Sequence, residues 1–329
     1  MQKRRVLPLA LAAVLFAGCA QNAEKAALND TDTEAVYTEQ VTMEEIELED
    51  EAVALAASPA ALGTILMPQA SGTTVKKNDR AVIDYSNISD GYVMVNFTGA
   101  TSKRLKVQIA GPSTTYTYDL KAGQWATFPL SDGNGSYKTT VLENTTASKY
   151  AVVLSESFQV KLSDEFAPFI RPNQYVDYGV AKQTVQKAAE LAGGVNDPLQ
   201  KVEKIYDYVV ANLTYDKAKA SSVQSGYLPV LDSVLASKKG ICFDYAALMT
   251  GMLRSQGVPC KLVVGYAGTV YHAWINVWTE ETGWIDGVIY FDGTAWQRMD
   301  PTFASSGGGS DAIMQYIGDG KNYTQKYVY

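Results

Sequence analysis

The 329-residue chain contains one histidine and three cysteines. One imidazole and no clustered thiols leave too few ligands for a dedicated metal centre. Three cysteines are also too few for a disulfide-built scaffold. Charged residues make up 19% of the chain, and no stripe of Lys and Arg is present of the kind that neutralises phosphates. Nucleic acid is therefore not an expected partner. There is no Walker loop, no His-Glu-x-x-His pair and no EF-hand loop, so no cofactor is expected. No internal repeat is visible. Of the net charge of -7, much is local, in the run Glu44, Glu45, Glu47, Glu49, Asp50 and Glu51.

The first nineteen residues read as a leader rather than as part of a fold. "MQKRR" is a basic start, and "VLPLALAAVLFAG" is an apolar run short for a membrane span. "FAGCA" follows and resembles a bacterial lipobox, with Phe16 where leucine is more usual. On that reading Cys19 is the lipidated first residue of the mature protein. A cleaved signal peptide without lipid, or an uncleaved anchor, fits the same run. Each places the body outside the cytoplasm, and the lipobox reading anchors it to a bacterial membrane. Residues 20–75 are rich in Ala, Glu, Asp and Thr and read as an acidic flexible stalk. Its more apolar part, "ALAASPAALGTILMP", can dock on the body.

Over 76–163 the pattern is that of strands. "AVIDY", "YVMVNFTG", "LKVQIAG", "TYTYDL", "ATFPL", "YKTTVLEN" and "YAVVLSESFQVKL" are short runs rich in Val, Ile, Tyr and Thr, with period-two stretches. Turn clusters such as "SDGNGS" separate them. These predict a small all-β sandwich, immunoglobulin-like or fibronectin-like in outline. Its tyrosines could stack on sugars, but tyrosine is also a common strand residue.

Over 164–329 helices come first. "VDYGVAKQTVQKAAELAGG" ends on a glycine stop. "NDPLQKVEKIYDYVVANLTYD" opens with Asp197 as N-cap and Pro198 at the first helical position. Its Val202, Ile205, Tyr206, Val209 and Leu213 recur at helical spacing. A short helix is expected over "LPVLDSVLASK". In "KKGICFDYAALMTGMLRSQGVPC", Phe243, Ala246, Ala247, Thr250 and Leu253 predict a buried helix that begins at Cys242 and ends before Gly257 and Pro259. "KLVVGYAG", "YHAWINVW" and "VIYFDGTAWQRMD" follow as strands, the last folded at "FDGT" into a hairpin.

Cys242 therefore stands in a first helical turn, where unpaired N–H groups and the positive dipole end favour a thiolate. Those N–H groups can also stabilise an oxyanion. If imidazole is needed, it must come from His272, on a strand that fixes its direction. A carboxylate would then orient the ring. Asp300, at the end of "WQRMD", becomes its lateral neighbour if that strand runs back beside the histidine strand. Gly240 would let a substrate or a strand approach the backbone closely. Asp244 and Arg254 suit the helix dipole. Trp274 and Trp278 share parity with His272 and either line a cleft or pack the core. Gln224 and Tyr227, in an upstream loop, are candidates for a second oxyanion donor. A bridge between Cys242 and Cys260 is disfavoured. A straight helix of ~14 residues sets their backbones about 20 Å apart, and a disulfide needs roughly 7 Å.

"GICFDYAALMTGMLRSQGVPCKLVVGY", "YHAWINVW" and "WQRMDPTF" together resemble the core of the transglutaminase-like superfamily. The shared pattern is a Gly-x-Cys helix start, an Arg-x-x-Gly-(Ile/Val)-Pro helix end, a His-Ala-Trp strand and an Asp-Pro-Thr strand end, here from Gly240 to Phe303. The resemblance implies an α+β fold, a papain-like core of helices packed on an antiparallel sheet. It also implies a triad of Cys242 as nucleophile, His272 as general base and acid, and Asp300 as orienter. Such enzymes form a thioester acyl-enzyme from an amide and pass it to water or to an amine. The expected substrate is a peptide, protein or cell-wall amide, and a monomer is expected. The other reading is a non-catalytic surface protein that uses the same cleft to bind or scaffold. An inert core thiol, a structural histidine and a turn aspartate are the corresponding readings of the three residues.

Overall fold

In the computed structural model the described residues are 65–281, 283–286, 288–291, 296–299 and 323–329. The leader, Cys19 and the acidic run lie outside them, as does Asp300. Among the described residues no helix is long and apolar enough to cross a membrane.

Alternating residues build two four-stranded antiparallel sheets at the front of the described chain. The first runs in the order β1 (Val75–Lys77), β2 (Ala81–Asp84), β3 (Tyr92–Phe97) and β6 (Trp125–Pro129). The second runs β5 (Thr115–Leu120), β4 (Leu105–Ala110), β7 (Gly135–Thr146) and β8 (Lys149–Val160). In β4 the odd positions Leu105, Val107 and Ile109 are buried and the even ones are not, as a half-buried strand requires. The two inner faces meet: Tyr118 of β5 lies 5.0 Å, ring to ring, from Phe128 of β6. Ahead of β1, Ile65 packs on the core, and the Gln69 and Gly72 amides donate to Tyr92 Oη and Asp84 Oδ2.

The helices follow. They are α1 (Lys182–Ala192), α2 (Pro198–Asn212), α3 (Lys217–Ser222), α4 (Leu231–Ser237) and α5 (Cys242–Ser255). In α2 the Asp197 carboxylate accepts from the Leu199 amide with Pro198 at the first turn, the start its sequence predicts. Helix α1 begins at Lys182, later than the start of the expected segment at Val176, where a tight turn from Asn173 closes. Helix α3 was not anticipated; Asp216 caps it by accepting from the Lys219 amide.

Helix α5 is the centre of this half. Tyr245, Leu248, Met249, Met252 and Leu253 are all fully buried, each contributing roughly 1.5–3 kcal/mol of apolar burial. Helices α1, α2 and α4 pack on one side of it. On the other lies an antiparallel sheet in the order β13 (Gly283–Ile285), β12 (Val270–Thr279), β11 (Cys260–Ala267) and β16 (Tyr323–Val328). Two short strands, β9 (Thr214–Tyr215) and β10 (Lys239–Gly240), pair in parallel just before α5. A hairpin of β14 (Val288–Phe291) and β15 (Trp296–Met299) forms its own sheet.

A cluster of tyrosines joins the β-rich front to this α+β half. Tyr118 lies 5.7 Å from Tyr175 and 5.8 Å from Tyr329, and Tyr175 and Tyr329 are 4.4 Å apart. Burial holds all three phenols, and Tyr116 beside them, above the ordinary tyrosine range. The unfolded chain would ionise these groups near pH ~10 while the folded chain keeps them neutral. The unfolded state then binds fewer protons, so stability falls as pH rises beyond that point. Thermal unfolding followed by circular dichroism should move to lower temperature above pH ~10. The Tyr118 hydroxyl is buried with no hydrogen-bond partner among the described residues. Tyr118→Phe should therefore stabilise by about 1 kcal/mol and blunt the alkaline loss.

Candidate active site

Chain geometry makes α5 start abruptly at Cys242. Lys238 turns the chain with φ 52°, β10 docks on β9, and Ile241 is extended at φ -90° and ψ 175°. Ile241 carries no acceptor, so it cannot cap the helix with its side chain. Asp244 does so in reverse: its Oδ2 accepts from the Ile241 amide at 2.8 Å. The Asp244 side chain is fully buried and receives two further donors, the Lys219 ammonium on Oδ2 at 2.8 Å and the Tyr227 hydroxyl on Oδ1. Asp244 is thus a buried, fully paired anchor and more than a carboxylate matching a dipole.

That anchor also explains Gly240. A Cβ there would stand 2.5 Å from the Asp244 Cβ. The glycine makes room for the carboxylate beneath the helix start, not for a substrate.

His272 stands on β12 opposite Gly265 of β11. Its ring is buried and stacks over Trp274 at 6.3 Å and 21°, with Tyr323 of β16 also 6.3 Å away. Trp274 packs with Val263, Val328 and Tyr323, while Trp278 packs on Phe166 and donates from Nε1 to Glu165. Both tryptophans serve packing. Gly265 has a steric duty: a Cβ would meet the Thr324 carbonyl oxygen at 2.0 Å and the edge of Trp274 at 2.9 Å. At this point β16 slips register, so that Val264 faces Tyr327 while Gly265 faces Gln325. One extra residue turns the later side chains to the other face. Tyr323 therefore sits on the Trp274 side, and Tyr327 and Tyr329 reach the core shared with α5.

Cys242 and His272 line one cavity of about 400 Å³. Its other walls are Tyr175, Tyr271, Tyr327 and Tyr329, the loop from Val223 to Tyr227, and a face of the β-rich front bearing Arg104, Lys106, Thr115, Thr117 and Asp119. None of the tyrosines, nor the β4–β5 wall, was visible as a site component from local sequence. The two proposed oxyanion donors both stand at the cavity but spend protons elsewhere. The Tyr227 hydroxyl donates to Asp244, and the Gln224 amide donates to the Ser222 carbonyl at 2.8 Å. Burial is the main cause that holds the Tyr227 phenol above its ordinary range, so it stays a donor.

Asp300 lies outside the described residues. The strand leading to it does not pair with the histidine strand as the sequence predicted: among the described residues β15 pairs with β14, and β12 has β11 on one side and β13 on the other. Closing a local hairpin costs less chain entropy than returning to β12, and Gly283–Ile285 already occupies that edge beside Val277–Thr279.

Neither Cys260 nor Cys242 is in a disulfide among the described residues. Cys260 is fully buried at the start of β11, with its Sγ facing Thr250 Oγ1 at 3.6 Å, and burial pushes it up to about 12. Arg254 does more than meet a helix dipole. Its buried guanidinium donates to the main-chain oxygens of Cys260, Arg171 and Tyr329. Burial lowers it to about 10. It ties the end of α5 to β11 and to the residue following β16.

Comparison with known proteins adds a family. Residues 185–301 match the family model of the transglutaminase-like superfamily. The chain is 20% identical over 195 residues to the uncharacterized protein YebA of Bacillus subtilis, covering 53% of this chain and 26% of that protein. It is 31% identical over 68 residues to a protein-glutamine gamma-glutamyltransferase of Pseudomonas aeruginosa, covering 16% and 10% respectively. The chain thus spans only about a quarter or less of the length of these curated relatives. Among solved structures, a candidate cysteine protease from Cytophaga hutchinsonii aligns at 14% identity and TM-score 0.36, covering 72% of this chain and 76% of that one. The transglutaminase of red sea bream aligns at 16% identity and TM-score 0.29, covering 69% and 53%. Residues 185–301 are a transglutaminase-like domain in an α+β fold, with an all-β region ahead of it.

The contact at Gly265 yields a measurable expectation. Gly265→Ala forces a methyl against the Thr324 carbonyl and should cost about 2–3 kcal/mol in denaturant unfolding. Release of β16 should also raise the fluorescence-quencher access of Trp274.

Proposed function

We propose that this protein is an extracytoplasmic cysteine enzyme of transglutaminase-like type, held at a bacterial membrane by lipid on Cys19. It acts on amide bonds of peptides, proteins or cell-wall material. The supporting observation is the common cavity: Cys242 at the start of α5 and His272, the chain's one histidine, are both among the residues lining the same space of about 400 Å³.

The chemistry follows from the residue types. The Cys242 thiol passes its proton to His272 and the sulfur attacks the amide carbonyl carbon. Amide N–H groups of the first turn of α5 face the oxyanion that forms. The C–N bond then breaks, the departing amine takes the proton from the imidazolium, and a thioester remains on Cys242. Water or a second amine, deprotonated by His272, attacks the thioester and returns the thiol. Asp300 holds the imidazole in the tautomer that can accept at the thiol side. Water as acceptor gives a peptidase or amidase, and an amine gives an acyl transferase.

The test is thiol reactivity in the full chain. Iodoacetamide labelling, resolved by peptide mapping, should modify Cys242 well below pH 8 while Cys260 stays protected. His272→Ala should slow Cys242 by about tenfold or more at pH 7. Cys242→Ala should abolish release of amine from peptide amides. If Cys242 titrates near ~8.5 with or without His272, the cavity is a binding cleft and not a catalytic one.

A further inference from the structure

Helix starts favour anions, and a buried carboxylate already stands in this first turn. Asp244 stands two residues after Cys242 with its side chain fully buried. A carboxylate so placed disfavours a neighbouring thiolate, by the same Coulomb term that shifts paired acids. A neutral cap would hold the helix start without that cost. The charge must therefore be answered, and Lys219 answers it. Its ammonium contacts Asp244 Oδ2 at 2.8 Å, donates to the Tyr227 oxygen, and lies 4.3 Å from the Tyr227 ring centroid. Tyr227 in turn donates to Asp244 Oδ1. The cluster is one carboxylate, one ammonium and one neutral phenol, with no net charge.

We propose that Lys219 is a positioning residue for Cys242: acting through Asp244, it keeps the buried carboxylate from opposing the thiolate. This rests on the reading of Cys242 as a nucleophile. It adds a residue on α3 that touches neither substrate nor sulfur. Tyr227 completes the device and connects it to the cavity wall, where it meets Phe243 edge-on at 6.4 Å. Lys219 itself is 28% exposed along its side chain, so solvent partly screens the pair.

Other charged or titratable residues line the cavity that Cys242 lines. His272 and Tyr271 come from β12, Tyr175 from the segment before α1, Tyr327 and Tyr329 from β16 and its end, and Arg104, Lys106 and Asp119 from the far wall. Burial keeps Tyr175, Tyr271 and Tyr329 protonated well past neutrality. All of these groups are unchanged in the variants below, so their influence cancels in each comparison.

The experiment is the pH profile of Cys242 alkylation in the full chain, with circular dichroism and thermal melts as folding controls. Lys219→Met should move the midpoint upward by about one pH unit, a tenfold slowing on the rising limb. Lys219→Arg keeps the charge and should stay near the parent. The double variant Lys219→Met with Asp244→Asn removes both charges and should bring the midpoint back. Tyr227→Phe removes one donor from Asp244 and should shift the midpoint upward by less. A merely structural role predicts lost amplitude or stability, additive in the double variant, with an unmoved midpoint. The proposal is overturned if Lys219→Met folds and titrates like the parent, or if the double variant stays as displaced as the single. If Lys219→Met does not fold, Tyr227→Phe and the double variant decide, and an unmoved midpoint in the former sinks the idea. Failure of the catalytic reading looks different: the parent itself would then titrate as an ordinary thiol insensitive to His272→Ala.

Discussion

Burial of α5 on every side is the constraint on which the rest depends. A helix that is apolar around its circumference must be covered by other elements, and here three helices and a sheet do so. Such a helix cannot slide or rotate without opening voids in a close-packed interior. Its two ends are then the only places where polarity can be expressed, and both are held by buried charge. Asp244 fixes the start and Arg254 the finish. An unpaired charge at either depth would cost several kcal/mol, so each end recruits partners from distant chain. Lys219 and Tyr227 come to one end, and the main-chain oxygens of Arg171 and Tyr329 to the other.

The same logic ties the β-rich front to the cavity. Tyr116 and Tyr118 project from β5 toward Tyr175 and Tyr329, so the interface between the two halves is built of tilted and edge-on rings. Aromatic rings give large burial with little rotamer entropy to lose. Arg104, just before β4, and Asp119 of β5 pair at 2.9 Å and form the neighbouring wall. Gly226 passes so close above them that a Cβ would stand 2.9 Å from Asp119 Oδ2. The front is therefore a wall of the cavity.

Much of this was legible in the sequence where the signal is local. Asp197–Pro198, the β4 alternation and the stop at Gly257, with φ +78°, follow from short-range rules. Cys242 and His272 could be named because a helix start and a single imidazole are both rare features. What local pattern could not give was the partner of each buried polar group. Gly240 looked like room for a substrate or a strand; it pairs with Tyr215 of β9, and the Asp244 side chain fills the space beside it. Arg254 and Asp244 looked like dipole-matching residues because their partners lie far away in sequence. Helix α3 was hidden because its six residues carry almost no apolar period. The expected pairing of the strand before Asp300 failed because two local hairpins were closer alternatives than the long return to β12.

The glycine opposite His272 shows how such a site resolves competing demands. A strand residue with a side chain at Gly265 would pack well against Trp274 in an ordinary sheet. Here β16 must shift register at this point so that Tyr323 lies beside the imidazole while Tyr327 and Tyr329 turn toward the cavity. The slip carries the Thr324 carbonyl into the space that a Cβ would need. Sheet regularity is surrendered at one residue, and in exchange one strand supplies aromatic rings to both faces. The imidazole is thereby flanked by a stacked Trp274 and a tilted Tyr323 before any carboxylate orients it.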